Sequence, residues 1–165
     1  MRHDIRYSIS ATSRPKRPGE EHGREYFFYT REDFKKHINE HIFIEYAEVH
    51  GHLYGTPKQF LEQQLMLGLH VIMDVDVHGA QTLMQEYPYP QALYFFIIPP
   101  DIVELERRLR QRNTDATNEI QNRLKKAAEE LKYKDDYQFV IENRDLEQTL
   151  KQVLSTIDKE LSKQA

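Results

Sequence analysis

Hydrophobic positions change texture midway along this chain, and the change divides it into two kinds of element. In the first half apolar residues are sparse and interrupted. Arg6–Ala11 reads as a short strand running into a Pro/Arg/Gly loop over 14–23, and the aromatic stretch Glu25–Tyr29 as extended chain. Thr30 followed three residues later by Asp33 has the form of a capping box, after which Phe34 and Ile38 fall on one helical face. Ile42–Val49 alternates as a strand does, and 51–55 reads as a glycine-bounded turn. Thr56-Pro57 opens a helix with proline at the position that needs no N–H donor. Phe60, Leu61 and Leu65 give that helix an apolar face, and Gly68 ends it.

The second half is denser. Val71–Val75 and Leu93–Ile98 are short apolar runs of the kind found in strands buried on both faces. Helical spacing follows Asp101 (Ile102, Leu105, Leu109) and recurs at Ile120, Leu124, Ala127 and Leu131. After a short strand Phe139–Ile141, Leu146, Leu150, Val153, Leu154, Ile157 and Leu161 mark a final helix. Buried strands alternating with amphipathic helices predict an α/β domain with a parallel sheet and helices on both faces.

Composition narrows the function classes. The 165 residues suit one domain, and 39% apolar with 30% charged residues describes a well-solvated protein. A net charge of -4 argues against broad nucleic-acid binding, which needs a basic face. Cysteine is absent, so no disulfide framework or thiolate metal site forms and a reducing cytoplasm is permitted. The N-terminus lacks an apolar h-region, and the longest apolar run, 92–98, is too short to span a bilayer. A cytoplasmic protein without membrane partners is expected. His37 and His41, and His50 and His52, are close in sequence, but neither pair has the glutamate or cysteine of a zinc site, and they read as surface histidines.

Four segments carry chemistry. Arg14 and Arg17 flank Pro15 and precede Pro18-Gly19, so a stiff loop holds two guanidinium forks suited to a phosphate, with Tyr26 and Tyr54 as phenolic donors. An isolated pair of this kind would be a solvated basic loop. Glu45 lies on a strand, where a carboxylate can accept from both N1–H and N2–H of guanine; a lone Glu there would be an outward surface residue. Asp74 and Asp76 close a buried strand, at the end where open α/β sheets bind ligands, or form a structural salt bridge. Arg107, Arg108, Arg110, Arg112 and Arg123 are either an exposed helix face or a lid that closes over a phosphoryl group, with Asn113 as a hinge.

The runs Thr-Ser-Arg-Pro-Lys-Arg-Pro-Gly-Glu (12–20), Gly-Arg-Glu-Tyr-Phe-Phe (23–28), Glu-Val-His-Gly-His-Leu-Tyr-Gly-Thr-Pro (48–57) and Asp-Val-Asp-Val-His-Gly-Ala (74–80) resemble guanylate kinase, which phosphorylates GMP with ATP. The resemblance extends in family order from about residue 6 to about residue 157. It implies a P-loop NTPase or nucleoside-monophosphate-kinase-like sheet with a small GMP-binding lobe (about 11–70), a core (71–106 and 126–165) and an Arg-rich lid (107–125). It also implies that Arg14, Arg17, Tyr26 and Tyr54 bind the GMP phosphate, with Glu20 behind the loop. Ser10, Glu45, Thr56 and Asp76 would surround the guanine. Arg112 and Arg123 would be the catalytic lid arginines, and Arg108 and Asn143 would lie beside the ATP adenine, with Mg2+ entering with ATP. Asn113 stands where the family has the glycine of Arg-Gly-Thr, and His78 where it has glutamine.

One family element is not found. No Gly-x-x-x-x-Gly-Lys-Ser/Thr occurs in the 165 residues, nor the first strand and helix that flank it. In the family that strand lies between the strand ending at Asp76 and the strand 93–98, so two strand edges would need to pair with each other or with another chain, which allows self-association. Three functional readings follow: a guanylate kinase seen without its first βα unit, inactive or nearly so in this form; a non-catalytic module binding GMP or a phosphorylated partner; or a structural remnant. The guanine-facing set favours the first. GMP is the expected partner, and ATP only where the phosphate loop is supplied.

Overall fold

The computed structural model describes residues 3–49, 51–111 and 117–163, and the chain divides into two compact units, residues 1–88 and 89–165. The first unit contains β1 (Ile5–Tyr7), β2 (Ala11–Thr12), β3 (Phe27–Phe28), α1 (Arg31–Asn39), β4 (Phe43–Val49), β5 (His52–Pro57), α2 (Lys58–Met66), β6 (His70–Ile72) and α3 (Val77–Glu86). The second contains β7 (Phe95–Ile98), α4 (Ile102–Gln111), α5 (Thr117–Glu130), a 3-10 helix (Leu131–Asp136), β8 (Phe139–Glu142) and α6 (Leu146–Ser162).

In the first unit a four-stranded sheet runs in the order β3-β2-β5-β4, parallel between β2 and β3 and antiparallel elsewhere. Its core is Ala11, Phe34, Phe43 and Leu53. Phe34 comes from α1, is fully buried, and stacks on Phe43 with ring centroids 4.4 Å apart. Helix α1 starts where the capping box predicts: the Asp33 N–H donates to Thr30 Oγ1 at 3.0 Å. Gly51 turns the chain between β4 and β5 at φ 77°, a left-handed conformation that glycine adopts without steric cost. A separate parallel pair joins β1 to β6, with Arg6 opposite Val71.

The second unit is built on the parallel pair β7–β8, in register from Phe95↔Phe139 to Ile98↔Glu142. The arginine run on α4 is laced to acids one turn away: Arg107 and Arg108 both donate to Glu104, and Arg110 donates to Glu106. Helix α6 packs one side inward, with Thr149 and Glu160 buried, and leaves Leu146, Leu150 and Leu154 exposed.

Several elements differ from the sequence expectation, while the α/β class holds. The strand expected over 6–11 is two strands in two different sheets. The turn expected over 51–55 is mostly β5, with Gly55 packed beneath Phe43 and Phe34: a Cβ there would crowd the Glu45 carbonyl at 3.0 Å and the two rings at 3.1 and 3.2 Å. Pro57 still pairs with Phe43, so α2 opens one residue later than expected, with proline as its cap residue. The strands expected to be buried on both faces are not: Ile72 and Ile97 are each nearly half exposed. Each belongs to a two-stranded ladder among the described residues, and so small a sheet leaves much of its surface uncovered.

Candidate functional site

The loop after β2 folds back on itself through one ion pair. Arg14 donates through both terminal nitrogens to Glu20, at 2.9 and 2.8 Å, and the Arg17 backbone N–H donates to the same carboxylate at 2.7 Å. The Arg14 guanidinium and the Arg17 amide hold the Glu20 carboxyl down at about 2. The Glu20 hydrogen bond also raises the pKa of Arg14 above its ordinary value. The guanidinium lies 5.5 Å from the centre of the Tyr26 ring, and Tyr26 meets Tyr54 edge-on at 6.0 Å. Burial pushes the Tyr26 phenol up, as do the neighbouring Tyr54, Asp74 and Tyr7. Arg14, Tyr26 and Tyr54 therefore converge. The Arg17 side chain is exposed on the same loop.

The second cluster sits deeper in the same unit. Tyr54 and Thr56 are two residues apart on β5, so their side chains leave one face of the strand about 7 Å apart. Thr56 is fully buried and donates from Oγ1 to Glu45 Oε1 at 2.5 Å across the β4–β5 ladder. Glu45 is itself only 6% exposed. Burial pushes its carboxyl above the ordinary value; the Thr56 hydroxyl pulls it down, and the negative charge of Asp76 pushes it up again.

Asp76 is not a strand residue: β6 ends at Ile72, and Asp76 caps α3 by accepting from the Gly79 N–H at 2.8 Å. Its other oxygen, Oδ2, is buried with no hydrogen-bond partner among the described residues. The buried Glu45 carboxylate and the buried Oδ2 of half-buried Asp76 thus form a pair of acceptors. Ser10 is half-buried between β1 and β2, and its carbonyl accepts from the Phe27 N–H at 2.9 Å.

Two candidates meet in the second unit. Arg108 and Asn143 line one cavity of about 220 Å³ with Ile97, Ile98, Leu105 and Leu109. The β7–β8 register brings Asn143 there, its N–H donating to the Ile98 carbonyl at 2.7 Å, and Arg108 reaches over from α4 to donate to the Arg144 carbonyl at 3.3 Å. Arg108 donates through Nε to Glu104 at 2.7 Å and Asn143 Oδ1 accepts from the Thr149 hydroxyl at 3.2 Å. Arg123 lies on α5, where it pairs with Glu119 at 3.4 Å. Arg112 and Asn113 lie outside the described residues.

The guanylate kinase family model matches residues 1–160. The chain belongs to the guanylate kinase family. It is 39% identical over 154 residues to the guanylate kinase of Caldanaerobacter subterraneus subsp. tengcongensis, covering 93% of this chain and 74% of that protein. It is 36% identical over 160 residues to the guanylate kinase of Thermotoga maritima, covering 97% of this chain and 76% of the relative. The crystal structure of guanylate kinase from Anaplasma phagocytophilum superposes with a TM-score of 0.82 at 33% identity, over 95% of this chain and 76% of the other.

Within this guanylate kinase fold, two features escaped the sequence reading. The capping role of Asp76 was hidden by the apolar run before it, which reads as continuous strand. Gly79 touches the Glu45 carboxylate, a contact between residues 34 positions apart that no local pattern reports. Among the described residues no helix is long and apolar enough to cross a membrane.

Proposed function

We propose that this chain binds GMP, with Arg14, Arg17, Tyr26 and Tyr54 receiving the phosphate and Glu45, Thr56 and Asp76 receiving the guanine. The observation that carries the reading is the buried acceptor pair. Glu45 is buried, and Asp76 keeps one buried oxygen, Oδ2, with no donor among the described residues, in a setting where an unsatisfied polar group is costly. Guanine offers N1–H and N2–H donors on one edge, whereas the adenine edge places an acceptor in the middle. The pair is therefore selective for the base with the donors. The Arg14 cluster includes Tyr54, which leaves the same face of β5 as Thr56, so a nucleotide with its base beside Thr56 would extend its 5′-phosphate toward Arg14.

The reaction proposed for this site is phosphoryl transfer from ATP, entering with Mg2+, to GMP. Arg123 and Arg112 would stabilise the transferring group, and Arg108 with Asn143 would border the adenine. Positioning and electrostatics supply nearly all the catalysis in such a reaction, and the phosphate loop with its lysine supplies much of both. These 165 residues hold no Gly-x-x-x-x-Gly-Lys-Ser/Thr. We infer that they bind GMP but turn ATP over poorly without such a loop.

Calorimetric titration tests the first part: GMP should bind clearly tighter than AMP with no ATP present, and equal affinities would overturn the site assignment. A coupled assay for ADP release tests the second. Turnover should be several orders of magnitude below a kinase's ~1–100 s⁻¹. Robust turnover that Arg123→Ala abolishes would refute it.

A further inference from the structure

We infer that Gly79 is a positioning residue for base recognition: its missing side chain is the space in which the Glu45 carboxylate is held. The inference rests on the guanine reading above. Glycine is not demanded here by the backbone. Gly79 lies in the first turn of α3 and is not among the glycines with positive φ, and alanine is the better helix former. What an added Cβ would meet is specific. It would overlap Glu45 Oε2, lie 3.1 Å from Glu45 Cδ and 3.4 Å from Asp76 Oδ1. The other Glu45 oxygen is fixed by the Thr56 hydroxyl at 2.5 Å. The carboxylate is therefore clamped, one oxygen against Thr56 and the other against the bare Cα of Gly79.

The obstructed atom is the end of a side chain, not backbone. A methyl group at 79 can be accommodated by turning the Glu45 carboxylate away, with little disturbance of the fold. The turn removes Oε2 from its place beside Asp76, where the two acceptors face a base together. Gly79→Ala therefore separates recognition from stability, which a packing glycine would not do.

The experiment uses the full chain and four proteins: the parent, Gly79→Ala, Glu45→Asp, and both changes together. Each is titrated with GMP, guanosine and AMP, and melted thermally. Gly79→Ala should melt within a few degrees of the parent yet bind GMP and guanosine about tenfold more weakly, the scale of a lost hydrogen bond to a charged group, with AMP little changed. Aspartate at 45 is shorter and withdraws from the added methyl, so in that background Gly79→Ala should cost much less.

An unchanged GMP-to-AMP ratio in Gly79→Ala, or an equal penalty in both backgrounds, would overturn the inference and leave the guanine site standing. A parent with no preference for GMP would overturn both. If Gly79→Ala does not fold, recovery by Glu45→Asp supports the inference, and failure to recover overturns it, because the obstruction would then lie elsewhere.

Discussion

Replacing Glu45 with glutamine separates what the proposed guanine site does for the ligand from what it costs the fold. The change is nearly isosteric: the oxygen that accepts from Thr56 can remain, while Oε2 becomes an NH2 group. On the ligand side an acceptor facing guanine donors becomes a donor facing donors. Hydrogen bonds to a charged group are worth about 1.5–3 kcal/mol, so GMP should bind roughly ten- to a hundredfold more weakly. AMP should lose nothing, since an amide can both donate to and accept from the adenine edge.

On the fold side the sign reverses. Burial and the charge of Asp76 raise the Glu45 carboxyl above its ordinary value of 4.5. A raised carboxyl favours the folded state fully below about pH 4.5, and that contribution is lost as pH rises through the folded-state pKa. Glutamine has no proton to lose and carries no charge to set against that of Asp76. Glu45→Gln should therefore melt higher than the parent at pH 7, with the gap closing toward pH 4. Calorimetry with GMP and AMP, and melting curves across that range, measure both. A variant that keeps the parent's GMP preference, or that is destabilised equally at every pH, would refute the reasoning.

Other outcomes follow from the same geometry. Arg14→Ala should weaken GMP by about 1.5–3 kcal/mol and leave guanosine nearly unaffected in the same titrations, because its guanidinium faces the phosphate side; an equal loss for guanosine would make it structural. Phe34→Ala removes a fully buried ring stacked at 4.4 Å on Phe43 and should cost about 3–5 kcal/mol in chemical denaturation. Leu146→Ala, at a position 75% exposed, should stay within about 0.5 kcal/mol in the same experiment.

What the sequence disclosed depended on how local the cause was. The start of α1 was legible because Thr30 and Asp33 make the cap between themselves. The final helix was legible because its apolar spacing needs no partner to be seen. Strand β5 was not, because two glycines four positions apart read as a turn until Phe34 and Phe43 are seen to crowd the bare Gly55. Burial of β6 and β7 was overestimated because a dense apolar run reports composition, while exposure depends on how many strands and helices cover it.

The site divides the same way. Arg14 and Glu20 share one loop, and their pairing follows from a stiff Pro/Gly segment. Arg108 and Asn143 come from different elements, joined where Arg108 of α4 donates to the Arg144 carbonyl, and their shared cavity was reachable in the sequence through family resemblance alone.

If the first unit binds GMP as proposed, its two clusters are prepared for it in opposite ways. Arg14 is already tied at both terminal nitrogens to Glu20, and its position is fixed before any phosphate arrives. A preset guanidinium loses little freedom on binding, so it contributes affinity without discriminating between one phosphate ester and another. Glu45 and Asp76 are the reverse case: Glu45 is buried with the charge of Asp76 beside it, and the buried Asp76 Oδ2 has no donor among the described residues. A ligand that supplies donors relieves the cost of that unsatisfied oxygen, and one that supplies an acceptor adds to it. Under the proposed reading, discrimination would come from the Glu45–Asp76 cluster and general affinity from the Arg14 one. Thr56 fixes one oxygen of the Glu45 carboxylate, and the bare Gly79 leaves the room that the other oxygen occupies.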